Sequence, residues 1–297
     1  MTVLALEIGS SRFAASRVAD NVDTDDIRQI PVPSSAAWDQ CRELLLEVAD
    51  GAEVTCLGIA STGPIDMAAG VVAPSEVPEW RTGFGIVEAA RKLFPKATVQ
   101  LALDGVCLAL AERNLGATRD AMDALVINLS DRISGGIVVG GFVVVGRTGN
   151  SGHIGHVLVP GFDDRCACGG RGCLEAVAGG ASAVRWAREQ GWAGTSVSEL
   201  AEAARMGESI PAAALGRAGT ALGRAIASVT ALLDTNLVVL GGPVAEAGPA
   251  LWKPLGEAVA THARLSFQSG LRVVPSQLGE FGVLAGAAVF AISAQGS

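Results

Sequence analysis

Apolar and polar positions fall in short blocks along the chain, and their order predicts an α/β fold. Val3 to Ile8 and Arg12 to Ala19 read as two strands joined by Gly9-Ser10-Ser11. A helix over Trp38 to Ala49 precedes a strand at Val54 to Ala60; Val99 to Leu103 reads as a buried strand, and Gly105 to Leu115 as a helix starting directly after Asp104. A second set opens with strands at Leu125 to Leu129, Gly135 to Val139 and Phe142 to Val145, the last two joined by a tight Gly140-Gly141 hairpin. Helices follow at Leu174 to Gln190, Val197 to Met206 and Ala212 to Leu233, then a short strand at Leu237 to Leu240. A strand-rich opening that occurs twice, each time followed by helices, predicts two related halves.

Candidate chemistry changes this picture first between Gly155 and Glu175. That stretch gathers three of the six cysteines and one of the three histidines into one loop, with Cys-x-Cys-x4-Cys spacing. Thiolate and imidazole are the ligands tetrahedral zinc prefers, and the interspersed glycines let His156, Cys166, Cys168 and Cys173 converge. With all four positions filled by protein, the metal is expected to be structural. The alternative is small buried thiols lining a core.

The same loop resembles the Gly-His, Cys-x-Cys-Gly, Gly-Cys-x-Glu signature of the ROK family of sugar kinases, repressors and open reading frames, with Glu175 closing the pattern. The resemblance implies a two-domain actin-like ATPase (ribonuclease H-like) fold with a structural zinc loop. It divides the chain into a smaller N-terminal domain, 1–116, joined by a C-terminal helix at 280–297, and a larger domain, 117–279, with the zinc loop at 153–175. It also implies that His156 and Glu175 sit beside a bound sugar.

Three further segments carry local readings and family readings side by side. Gly9-Ser10-Ser11-Arg12 is an ordinary hairpin turn or a phosphate loop; it looks like the family's Asp-x-Gly-x-Thr hairpin, with Glu7 for Asp and Ser11 for Thr. Asp104, between strand and helix, is a helix cap or, as the resemblance implies, the general base, although Leu103 replaces the Asn that normally precedes it. Gly241-Gly242 is a tight turn or a close approach for adenosine, and Leu284 to Ala288 looks like the family's final helix.

Two departures oppose the kinase reading. Ser130-Asp131-Arg132-Ile133-Ser134-Gly135-Gly136 stands where the family has a glycine-rich second phosphate loop, and only Gly135 and Gly136 survive; Arg132 either grips a phosphate or fills the loop. His153 stands where the family has a sugar-binding Glu, and is a substrate contact or a solvated loop residue. The expected function is therefore an ATP-dependent sugar kinase acting on a hexose or aminosugar with Asp104 as base, Mg2+ accompanying ATP. Its alternative is a non-catalytic sugar-binding relative whose loop at 130–136 is degenerate.

Composition narrows the remainder. The 297 residues, 49% of them hydrophobic, suffice for two cores, and a net charge of −8 argues against a nucleic-acid surface. A repressor would need a DNA-binding domain ahead of the first strand, and the sequence begins within two residues of it. The N-terminus lacks the charged start and apolar run of a signal peptide and no segment is long enough to span a membrane, so cytoplasmic residence without membrane partners is expected. Cys41, Cys56 and Cys107 read as reduced core thiols, and the resemblance implies a homodimer or homotetramer.

Overall fold

The computed structural model describes residues 2–18 and 24–293; Ala19, the expected end of the second strand, and residues 294–297 of the expected C-terminal segment lie outside these. The chain forms two compact units, one comprising Met1–Arg119, Val143–Gly152 and Phe281–Ser297, the other Asp120–Phe142 and His153–Glu280.

In the first unit β1 (Thr2–Ile8) and β2 (Arg12–Val18) form the expected hairpin, and β3 (Arg28–Pro31) extends it antiparallel. On the other side of β1 lie β4 (Val54–Ser61) and β7 (Thr98–Leu103), both parallel, giving the order β3-β2-β1-β4-β7; a small ribbon, β5 (Ile65–Asp66) with β6 (Val71–Val72), lies between them in sequence. β1 is buried along nearly its whole length, as a central strand covered on both faces must be. Helices α1 (Ala37–Ala49), α2 (Ile86–Leu93), α3 (Asp104–Leu115) and the C-terminal α9 (Gly282–Ser293) complete the unit.

Glycines set how closely α9 can pack. A Cβ on Gly286 would overlap the carbonyl of Cys107 in α3, and one on Gly58 in β4 would overlap the carbonyl of Ala287. Gly286→Val is therefore expected to lower stability by about 1–3 kcal/mol, the usual cost of overpacking, and thermal unfolding of the variant checks it.

The second unit repeats the plan. β8 (Ala124–Leu129) and β9 (Ile133–Val139) are antiparallel, the Gly140-Gly141 turn leads into β10 (Phe142–Val144), of which only Phe142 groups with this unit, and β11 (Leu237–Gly241) and β12 (Arg272–Pro275) run parallel to β8, in the sheet order β10-β9-β8-β11-β12. Both turn glycines have positive φ, 58° and 83°, which the tight hairpin requires. Helices α4 (Leu174–Ala178), α5 (Gly180–Glu189), α6 (Val197–Arg205), α7 (Ser209–Leu233) and α8 (Pro249–His262) follow. Ser196 and Glu199 form a capping box at the start of α6, and Gly219 and Gly223 let α7 approach the backbone of α8 closely.

The structure corrects two expectations. The single helix from Leu174 to Gln190 is two helices broken at Gly179, because the N–H of Gly180 donates to the carbonyl of Ser130 (2.9 Å) and that of Ala181 to the carbonyl of Asp131 (3.3 Å). The block 117–279 is interrupted by Val143–Gly152, which groups with the first unit: the Asn150 side chain accepts from the Ile65 N–H (2.9 Å) and donates to its carbonyl (2.6 Å). Among the described residues no helix is long and apolar enough to cross a membrane.

Candidate functional site

The Gly9 turn, Asp104, the start of the 130–136 stretch and Gly241-Gly242 lie at the C-terminal ends of strands that have a parallel neighbour, where an open α/β sheet leaves backbone and side chains accessible to ligands, whereas Ser134, Gly135 and Gly136 lie within antiparallel β9. In the first unit Glu7, near the end of β1, is 9% exposed, and Gly9 closes the turn to β2 through a 2.9 Å bond from its N–H to the Arg12 carbonyl. A Cβ on Gly9 would stand 2.9 Å from that carbonyl and 3.3 Å from Glu7 Oε1, so only glycine keeps this turn tight beside the carboxylate. Ser10 is half-buried and Ser11 exposed, and the Arg12 guanidinium lies 4.5 Å from the centre of the Phe281 ring.

Asp104 opens α3 and is 5% exposed, its Oδ1 accepting from the Gly105 N–H at 2.7 Å. Leu103, not Asp104, holds the N-cap position. Both Asp104 and Glu7 push the buried Cys107 thiol upward, after burial itself, so the two carboxylates act on a common neighbourhood within this unit. Sequence reasoning missed Thr62, at the end of β4: its N–H donates to Ile8, and its buried hydroxyl has no hydrogen-bond partner among the described residues. The Ser-Thr-Gly run closing an apolar strand was the available signal.

In the second unit the β8–β9 connection is a closed turn. Both the N–H and the hydroxyl of Ser130 donate to the Arg132 carbonyl at 3.1 Å. The Arg132 guanidinium reaches Glu175 Oε1 at 3.3 Å, while Oε2 accepts from the Ile133 N–H at 3.3 Å. Arg132 thus touches the residue expected to hold sugar, a pairing that no local sequence signal disclosed. Ser134 is buried and its hydroxyl has no partner among the described residues, and Gly135 and Gly136 are buried in β9. Gly242, after β11, has φ 90°, and a Cβ there would stand 2.5 Å from the Leu129 carbonyl, so both turn geometry and close backbone approach demand glycine.

The zinc-loop residues converge. One ligand atom from each of His156, Cys166, Cys168 and Cys173 lies within 4.8 Å of the others. Cys166 Sγ is 3.8 Å from His156 Nδ1, and Cys168 Sγ is 3.8 Å from Cys173 Sγ. Tetrahedral zinc with ~2.3 Å Zn–S bonds requires S···S edges of about 3.8 Å, so the donor set fits the ion in type, number and spacing. Burial pushes the Cys173 thiol up to about 12, whereas the Gly170 N–H draws Cys168 down. A bound cation would reverse the burial effect by stabilising thiolate. Arg217 anchors the loop to α7: it bonds Asp164 at 2.9 Å and stacks over Trp186 at 4.9 Å. His153 is half-buried, 5.8 Å from the His156 ring between centroids, and burial, His156 and Arg132 together hold it below the usual imidazole range. Cys41, Cys56 and Cys107 are free and buried, and burial pushes Cys41 up to about 12.

A ROK family model matches residues 3–294. The glucokinase of Thermotoga maritima is 34% identical over 307 residues, covering 97% of this chain and 96% of its own. Among solved structures, a ROK hexokinase from Thermus thermophilus superposes with a TM-score of 0.80 at 28% identity, covering all of both chains. A ROK glucokinase from Streptomyces griseus, in complex with glucose and AMPPNP, superposes with a TM-score of 0.86 at 23% identity, covering 99% of this chain and 100% of its own.

Proposed function

The chain belongs to the ROK family, with its two-domain actin-like fold, and on that premise we propose that it is an ATP-dependent sugar kinase acting on a hexose or aminosugar hydroxyl. The observation that carries this reading is Asp104, a buried carboxylate at the C-terminal end of a parallel strand with another residue in the cap position. The sugar hydroxyl attacks the γ-phosphorus, the bond from that phosphorus to the bridging oxygen breaks, ADP leaves, and Asp104 takes the hydroxyl proton.

The remaining roles follow from donor chemistry. Gly9, Ser10, Ser11 and Arg12 offer amides, hydroxyls and a guanidinium to phosphate oxygens, and Gly135, Gly136 and the Ser134 hydroxyl are donors of the same kind. Gly241-Gly242 is assigned to adenosine on the family resemblance, the space beside Gly242 itself being taken by the Leu129 carbonyl. Hard oxygen donors, the Glu7 carboxylate and the Thr62 hydroxyl, suit the Mg2+ that accompanies ATP, which when bound neutralises phosphate charge. Glu175, His153 and the second ring nitrogen of His156 hydrogen-bond sugar hydroxyls, so analogues lacking those hydroxyls bind poorly. His156, Cys166, Cys168 and Cys173 would hold zinc, which when bound would fix the loop that carries the sugar contacts.

Arg132 acts in this reading as a brace on Glu175. Arg132→Met leaves a buried carboxylate with fewer partners, so the sugar Kd is expected to rise about tenfold while the KM for ATP stays nearly constant. A rise in the ATP constant alone would instead place Arg132 on the phosphates. The closed turn at Ser130–Arg132 favours a second reading, a sugar-binding protein without productive nucleotide binding. Calorimetry with glucose, N-acetylmannosamine and a non-hydrolysable ATP analogue separates them: the kinase binds both ligand classes, the second reading only a sugar.

A further inference from the structure

A cavity of about 530 Å³ lies in the second unit, remote in sequence from the base and the glycine turns, between α7, the end of α8 and Pro160-Gly161 of the zinc loop. Its lining contains Arg224, His262 and Arg264 and no carboxylate, in a chain whose net charge is −8.

The arrangement of Arg224 is specific. Its Nη1 donates to the Pro160 carbonyl at 2.6 Å, and its guanidinium carbon lies 5.5 Å from the centre of the Phe162 ring. Gly161, at φ 86°, makes room: a Cβ there would stand 2.6 Å from that same Nη1. The guanidinium is thereby held in place before any ligand arrives, and Nε has no hydrogen-bond partner among the described residues. Preorganisation of this kind reduces the ordering cost of binding.

The polar neutral residues on the lining have their donors turned elsewhere. The Ser228 hydroxyl donates to the Arg224 carbonyl at 3.1 Å, and the buried Gln268 amide donates to the Ala227 carbonyl at 2.8 Å and to Thr230 at 3.0 Å. What the side chains present to a ligand is therefore positive charge from Arg224 and Arg264 and the imidazole of His262, alongside apolar wall from Ala231 and Leu265.

We propose that this cavity binds a small phosphate monoester on a polyol, such as a phosphorylated sugar. Forked guanidinium donors match phosphate oxygens, the volume lies within the roughly 300–1,000 Å³ range of small-ligand sites, and the apolar wall suits the carbon face of a sugar. The kinase reading would make its own product a member of this class, but the site rests on geometry that does not depend on turnover.

The test is calorimetry of the zinc-loaded full chain with glucose 6-phosphate, inorganic phosphate and uncharged glucose, each with the non-hydrolysable ATP analogue at saturation. Arg264→Ser and the double variant His262→Gln, Arg264→Ser are compared with the parent. Arg264 and His262 are exposed, so these variants are expected to fold, and circular dichroism checks that they do. Glucose 6-phosphate should bind the parent and lose about tenfold or more in affinity in the double variant, as removal of charge-assisted contacts implies. Inorganic phosphate should bind more weakly with the same dependence, and glucose binding should be unchanged by the substitutions. Absence of phosphate-ester binding to the parent, or equal affinity in parent and double variant, would overturn the proposal. No turnover is read, and where the analogue does not bind, the loss of inorganic phosphate binding in the double variant still reads this cavity.

Discussion

Asp104→Asn should reduce phosphoryl transfer by about a hundredfold to ten-thousandfold while leaving sugar Kd within about tenfold, the range expected for loss of a general base. The amide preserves shape and can still accept from the Gly105 N–H, the 2.7 Å bond made by the carboxylate. It cannot accept the proton. Leu103 occupies the cap position, so α3 should survive the change and thermal stability should alter little. Steady-state kinetics together with calorimetry check both halves. Full activity would make Asp104 a structural residue, and a large fall in melting temperature with proportionate loss of sugar binding would say the same.

The second large effect is expected at the metal cluster. Cys168→Ser should bring zinc from about one ion per chain to well below that, since one of four ligands is lost and structural zinc contributes on the order of 10 kcal/mol to the folding of such sites. Cys168 is exposed, so the substitution removes a ligand without opening a cavity in a core. Sugar affinity should fall together with zinc content, because His156 and Glu175 flank the loop that the ion closes. A chelator applied to the parent should reproduce both losses. Acidification should also release the ion, because protons compete for the thiolates and the imidazole, and burial already favours the neutral thiol at Cys173. Elemental analysis alongside sugar titration checks the coupling; intact sugar binding by metal-free protein would break it.

Legibility in sequence followed the range of the interactions involved. The strands β1, β4, β7, β8 and β11 were readable because each is a mostly apolar run buried on both faces. The edge strands β3 and β12, largely exposed, carry no such run and were not expected. The break at Gly179 was hidden for a related reason, since the carbonyls that receive the Gly180 and Ala181 N–H groups come from Ser130 and Asp131, far away in sequence. The Cys/His cluster was legible because its four residues share one loop. The Arg132–Glu175 pair was not, because it joins a strand-to-strand turn to the start of α4. Nor was the arginine-lined cavity, whose charges come from Arg224 of α7 and Arg264 beyond α8, with glycine space supplied by the zinc loop.

Kinase activity is measured most directly as ADP release by the zinc-loaded protein with Mg2+ and ATP across a panel of hexoses and aminosugars. Sugar-dependent ADP formation is expected with at least one member, matched mole for mole by a phosphorylated sugar and lost in Asp104→Asn. No sugar-dependent ADP release anywhere in the panel, from protein that binds one of those sugars, would contradict it and leave a sugar-binding protein in place of a kinase.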